Sequence, residues 1–174
     1  MKKTIAMLLA LFLLMPAMAV CGESSDGRAD AGSVSAVCPD GWTHVPLREG
    51  GFEDGELVTT ALELRKGDPS MAFWADSAPR IFIEYGESTS LLMSVDMASF
   101  LFDEPEAVGP MQIGDRTWEG VAGGWNGDTL VILTSDGGDD PLIVTLFLDF
   151  TVGDLTISLD DADVQGIIAS IQHN

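Results

Sequence analysis

Between residues 116 and 159 apolar and polar positions alternate in four runs, each closed by turn residues. Alternation of this kind sends successive side chains to opposite faces of a strand, so the stretch reads as an antiparallel meander. Asn126-Gly127 lies between two of the runs. That dipeptide is a strong hairpin signal, because a type I′ turn needs positive φ at both central positions. With these two residues as the whole loop, Trp125 faces Asp128, Ala122 faces Val131 and Val121 faces Ile132, pairing 118–125 along 128–135. The Asp and Gly residues of 136–141, closed by Pro141, turn the chain. In the next run Leu142, Val144, Leu146, Leu148 and Phe150 share one face, and Ile143 and Phe147 take the other. Residues 130–133 are likewise apolar on both sides. Strands of that kind are covered on both faces. A turn at Gly153-Asp154 leads into Leu155, Ile157 and Leu159 as a last strand.

The flanking pattern adds strands and two helices. Residues 42–47 form a first strand, 57–64 a second, and Ile81, Ile83 and Tyr85 alternate with Phe82 and Glu84 in a third. Residues 71–79 fit a short strand or an apolar loop. Ser88, Thr89 or Ser90 caps a helix that runs to about Phe102, with Leu91, Val95, Ala98 and Phe102 on one stripe and Pro105 beyond its end. Residues 111–113 make a short strand before the meander. Near the C-terminus Asp160 caps a helix in which Val164, Ile167, Ile168 and Ile171 form one apolar face. The expectation is a single α+β domain over 38–174, an antiparallel sheet of about six strands with two helices packed on it.

The N-terminus changes the setting. Lys2 and Lys3 precede an apolar run over 5–15, the pattern of an export signal and too short to span a bilayer comfortably. Ala17-Met18-Ala19 offers a cleavage site that releases a secreted protein from Val20. On the other reading Cys21 becomes the lipidated first residue. The start resembles bacterial lipoprotein precursors in its Lys-Lys opening, its Cys21-Gly22 and the Ser, Gly and Asp residues behind them. Residues 1–21 are then the signal and 22–37 a flexible tether, with the domain held outside the cytoplasm on the cell membrane. Lipidation leaves Cys38 as a thiol, whereas cleavage at Ala19 leaves Cys21 and Cys38 to pair in a small disulfide loop.

Charge and chemistry narrow the function classes. The formal net charge of −20 repels nucleic acid, so no nucleic-acid partner is expected. The chain has two histidines: His44 in the first strand and His173 in a penultimate position expected to fray. It carries no Gly-x-Ser-x-Gly elbow, phosphate loop, His-Glu-x-x-His or Cys-x-x-Cys motif, and neither catalysis nor a cofactor is expected. Asp136, Asp139 and Asp140 crowd a glycine-rich turn, where they serve either as hard oxygen ligands for Ca²⁺ or as ordinary solvated turn residues. Trp118, opposite Ser135, reads as core. Trp125 sits beside the hairpin tip, exposed for a partner or folded over Gly123 and Gly124, and Phe73 and Trp74 divide in the same way. Phe73, Trp74 and Trp125 are thus the candidate contacts for an envelope protein or cell-wall component.

The order of these elements, from Gly41-Trp42 through strands, helix and meander to a terminal helix ending Ile168-Ala169-Ser170-Ile171, resembles the PsbP-like sandwich over residues 38–172. That fold is known from an extrinsic photosystem subunit and from bacterial lipoproteins of unassigned role. The resemblance implies a binding or scaffolding domain, and it carries no catalytic residues. A small-molecule or cation-binding lipoprotein, using the loop at 136–140, is the second expectation.

Overall fold

A computed structural model of the chain describes residues 27–45, 51–53, 56–58, 61–85, 94–135 and 142–174. In chain order its elements are β1 (Arg28–Asp30), β2 (Val34–Val37), β3 (Trp42–Val45), β4 (Gly51–Glu53), β5 (Glu56–Val58), β6 (Ala61–Lys66), α1 (Trp74–Ser77), β7 (Arg80–Tyr85), α2 (Val95–Leu101), β8 (Asp103–Ile113), β9 (Arg116–Trp125), β10 (Asp128–Ser135), β11 (Leu142–Phe147), α3 (Ala162–Ala169) and β12 (Gln172–His173). The expected α+β class is present. Seven strands, in the order β3-β6-β7-β11-β10-β9-β8, form the main sheet, every pair antiparallel. The described residues thus hold seven strands in this sheet and three short helices, where the sequence reading had about six and two.

The hairpin at Asn126-Gly127 has the expected register, with Trp125 opposite Asp128, Val121 opposite Ile132 and Trp118 opposite Ser135. Both turn residues have positive φ, 55° at Asn126 and 95° at Gly127, as a type I′ turn requires. The sheet is covered on both faces. One face gathers Leu62, Leu64, Ile81, Ile83, Trp118, Val131, Leu133, Leu142, Val144 and Leu146 beneath α3. The other presents Val121, Leu130 and Ile132 to Ala98 and Phe102 at α2.

Four expectations are corrected. Residues 28–37 are not tether: β1 and β2 pair with each other, and β2 pairs with β12, in a small sheet over the first face. Ala29, Ala31, Val34 and Ala36 are buried there. Their small side chains resemble a linker's, yet they let backbone approach the core closely. His173 is correspondingly paired across from Val34 rather than frayed. Residues 155–159 do not extend the meander; only a single bridge joins Val152 and Leu155. Both edges of β11 are already taken, by β10 and by β7, so no ladder is open to them. The fourth meander strand is instead β8, eleven residues long. It lies at the sheet edge and shifts register near Pro105 and Pro110, features that discourage further pairing along an open edge.

Ser94, not an earlier serine or threonine, caps α2, its hydroxyl accepting from the Met97 N–H at 3.2 Å; residues 86–93 lie outside the described part. Asp161 takes the N-cap position of α3, one residue after the expected Asp160. Val164, Ile167, Ile168 and Ile171 are buried as the helical spacing predicts.

Close packing within the hairpin makes a test. A Cβ at Gly120 would collide with the carbonyl of Ile132 on the neighbouring strand, whereas one at Gly166 on α3 would meet nothing within 4 Å. Gly120→Ala is expected to destabilise the domain by about 2 kcal/mol or more. Gly166→Ala is expected to stabilise it by about 0.5–1 kcal/mol, since alanine has less unfolded-chain entropy to lose. Urea unfolding of the two variants checks both signs.

Candidate functional site

The apolar alternation of β6 and β7 turns Leu62, Leu64, Ile81 and Ile83 into the first core. By the same alternation Glu63, Arg65, Arg80 and Phe82 fall on the second face, where the two strands are neighbours. Glu63 stands opposite Phe82, and Arg65 opposite Arg80. On the far side of β7, strand β11 sets Thr145 beside Phe82 and Phe147 beside Arg80. Two guanidinium groups, the Glu63 carboxylate and a set of aromatic rings thus meet on the floor between α1 and α2, with the buried Glu84 farther along β7 on the same face.

Glu63 is 1% exposed, and a carboxylate so deeply buried needs a partner. Arg65 supplies it, donating from Nε to Glu63 Oε1 at 2.6 Å and from Nη1 to the carbonyl of Ala75 on α1. Its guanidinium also lies 5.4 Å from the Trp74 ring centroid. Arg80 is held differently. Its Nη1 is 3.9 Å from Glu63 Oε1, too long for a hydrogen bond. Three rings surround the group instead, with centroids 4.4 Å away at Phe150, 4.7 Å at Phe147 and 5.7 Å at Phe82. Burial lowers the Arg80 pKa from its ordinary value; Glu63, Asp128 and Asp76 pull it back up, and Arg65 adds to the lowering. The group stays cationic, as an arginine does in any folded protein.

The aromatic candidates separate. Phe73 is 78% exposed, in left-handed backbone geometry (φ 62°) at the start of α1. Trp74 is 5% exposed and is corrected from contact to core. It packs with Ala78 and Val152, and its indole N–H donates to the Lys66 carbonyl at 3.1 Å. The helix start sends one of two consecutive aromatics outward and the other onto the sheet. Trp125 is 39% exposed, and the alternation from Val121 through Gly123 aims it to the second face. Asp136, Asp139, Asp140 and Cys21 lie outside the described residues. Among the described residues no group of His, Cys, Asp and Glu is arranged to hold a metal ion. Cys38 donates its thiol to the Trp42 carbonyl at 3.5 Å. His44 is half-buried; burial lowers its pKa, partly offset by Asp30, so it is neutral near pH 7.

A second, open depression lies at the sheet's end, lined by Lys66, Asp154, Leu155, Thr156 and residues 161–163. Its ordered part is a triad: the Trp42 indole N–H donates to Asp163 Oδ2 at 2.7 Å, and Lys66 Nζ sits 3.2 Å from the same oxygen. Burial pushes the Asp163 pKa up, but the hydrogen bonds from Trp42 and Lys66 and the charge of Lys66 outweigh it, so the net shift is downward.

The sequence reading missed Glu63, Arg65 and Arg80. The available signal was charge at alternate positions of strands that are otherwise apolar, in Ala61–Lys66 and Arg80–Tyr85.

No family model and no curated protein matches the chain. In structure the chain is similar to a crystal structure from Bacteroides thetaiotaomicron, at 16% identity and a TM-score of 0.41. The match covers 85% of this chain and 48% of that one, so the chain spans about half its length.

The triad yields a pH dependence. Asp163 binds its proton less readily when folded than its ordinary pKa of 3.8 allows. Its contribution is therefore complete above that value and is lost as pH falls through the lower, folded pKa. The carboxylate is only partly buried, so Asp163→Asn is expected to cost about 0.5–1 kcal/mol at neutral pH. The gap to wild type should close as pH falls below the ordinary value, through the lowered folded pKa. Thermal melts across that range measure it.

Proposed function

We propose that the chain is an exported, non-catalytic binding domain of the cell envelope, anchored through a lipidated Cys21 and docking a partner protein on its second sheet face. One observation carries the docking surface. The exposed large apolar side chains of the described residues are Phe73, Met97, Phe100, Leu101 and Trp125, and all belong to elements on that face. Phe73 opens α1, Met97, Phe100 and Leu101 lie on the outer side of α2, and Trp125 ends β9. Exposed apolar groups on one face are a mark of interaction sites, and a mixture of Phe, Trp, Met and Leu suits a protein surface. Trp74 is withdrawn from the contact set. The PsbP-like resemblance, with its implied scaffolding role, belongs to this proposal. Among the described residues no helix is long and apolar enough to cross a membrane.

The docking surface is tested by affinity capture from detergent-solubilised envelope. A partner held by the wild type is expected to be lost from Phe73→Ala/Phe100→Ala/Trp125→Ala, with affinity reduced about thirtyfold or more, as for residues that anchor an interface. The three side chains are exposed, so the melting temperature should hardly move. A triple variant that keeps every partner would sink this surface. The anchor is tested separately: inhibiting lipoprotein signal peptidase in growing cells should make the precursor accumulate, and normal processing would exclude lipidation at Cys21.

A further inference from the structure

We propose that Arg80 anchors a binding site for a carboxylate carried on an apolar body. Arginine has five N–H donors in a planar fork. Here Nε is buried with no hydrogen-bond partner, and the nearest carboxylate oxygen, on Glu63, stands 3.9 Å from Nη1. That oxygen is already engaged by Arg65 at 2.6 Å. Buried donors in folded proteins are almost always satisfied, so an unfilled guanidinium calls for an explanation. The side chain is 18% exposed, so part of the fork is reachable from outside.

Geometry and charge define what fits. The rings of Phe82, Phe147 and Phe150 hold the guanidinium with their centroids 4.4–5.7 Å away, and none of them occupies its donors. A cation fixed in this way loses little freedom when a ligand arrives, which favours binding. Arg65 engages the Glu63 carboxylate directly, which leaves Arg80 without a hydrogen-bonded carboxylate of its own. A carboxylate presents two coplanar oxygens to an arginine fork. Asp76 and Asp128 act electrostatically on Arg80, and their charge disfavours a phosphate dianion more than a singly charged carboxylate. The three phenylalanines are half-buried, leaving apolar surface for the ligand's body to cover.

This site lies on the same sheet face as the docking surface proposed above but uses none of its exposed side chains, so either can fail without the other. The test uses the full chain in mild detergent with phenylacetate and hexanoate as probes, read by saturation-transfer NMR and thermal shift. Phenylacetamide, of the same shape without charge, and inorganic phosphate are the controls. Both carboxylates are expected to bind saturably, phenylacetamide and phosphate far more weakly. Arg80→Lys keeps the charge but removes the fork, and should weaken phenylacetate about tenfold or more. Arg116→Lys, remote from the rings, should leave it unchanged. Should Arg80→Lys fail to fold, Phe150→Leu takes its place, with an expected loss of about threefold. The proposal is overturned by any of four results: no saturation by either carboxylate up to about 10 mM, equal binding of phenylacetamide, tighter binding of phosphate, or unchanged affinity in the folded variant.

Discussion

Strands in the middle of this sheet must be covered on both sides, and the two covers differ chemically. On the first face the small sheet of β1, β2 and β12 and the helix α3 close over side chains that are almost all apolar. Trp118 is wholly buried there, its indole N–H donating to the Ile113 carbonyl at 3.4 Å. On the second face α2 covers β9 and β10, while α1 reaches the β6 side. Between them lies a floor that carries charge. The first face is apolar throughout its core; the second also holds charge.

Burying Glu63 is what organises that floor. Desolvating a carboxylate costs several kcal/mol unless partners compensate, and ion pairs in such places often no more than break even. Arg65 compensates it directly and ties α1 to the sheet through the Ala75 carbonyl. Arg80 contributes at longer range and is stabilised mainly by its aromatic neighbours. Rings offer a cation a favourable electrostatic surface without using its donors. The charge is therefore held in place while its hydrogen-bonding capacity stays open. In a chain of net charge −20, such a centre stands out from its surroundings.

Legibility varied with the distance over which each feature was decided. Glu63, Arg65 and Arg80 are ordinary charged residues in strand-like segments, and nothing local distinguishes them from solvated positions. They form a site only because β6 and β7 are neighbours and β11 lies on the far side of β7. By residue type alone Phe73 and Trp74 are equivalent candidates for a contact. Left-handed geometry at Phe73 and the packing of Trp74 against Val152, far along the chain, separated them. Residues 28–37 looked like linker by composition, and became strands because β12 and the first core lay beside them.

By itself the chain determined what local chemistry controls. Asn126-Gly127 admits a type I′ turn, so the hairpin and its register followed from two residues and the period-2 pattern around them. The face of α3 followed from the 3.6-residue spacing of Val164, Ile167, Ile168 and Ile171. Two-sided apolar strands required a sheet covered on both faces. Tertiary structure alone decided strand order, the edge position of β8, the exclusion of residues 155–159 from the meander and the meeting of Arg80 with its rings. Those outcomes depend on which segments compete for the same edge or the same buried surface. That competition is settled between residues far apart in sequence, where no local pattern records the winner.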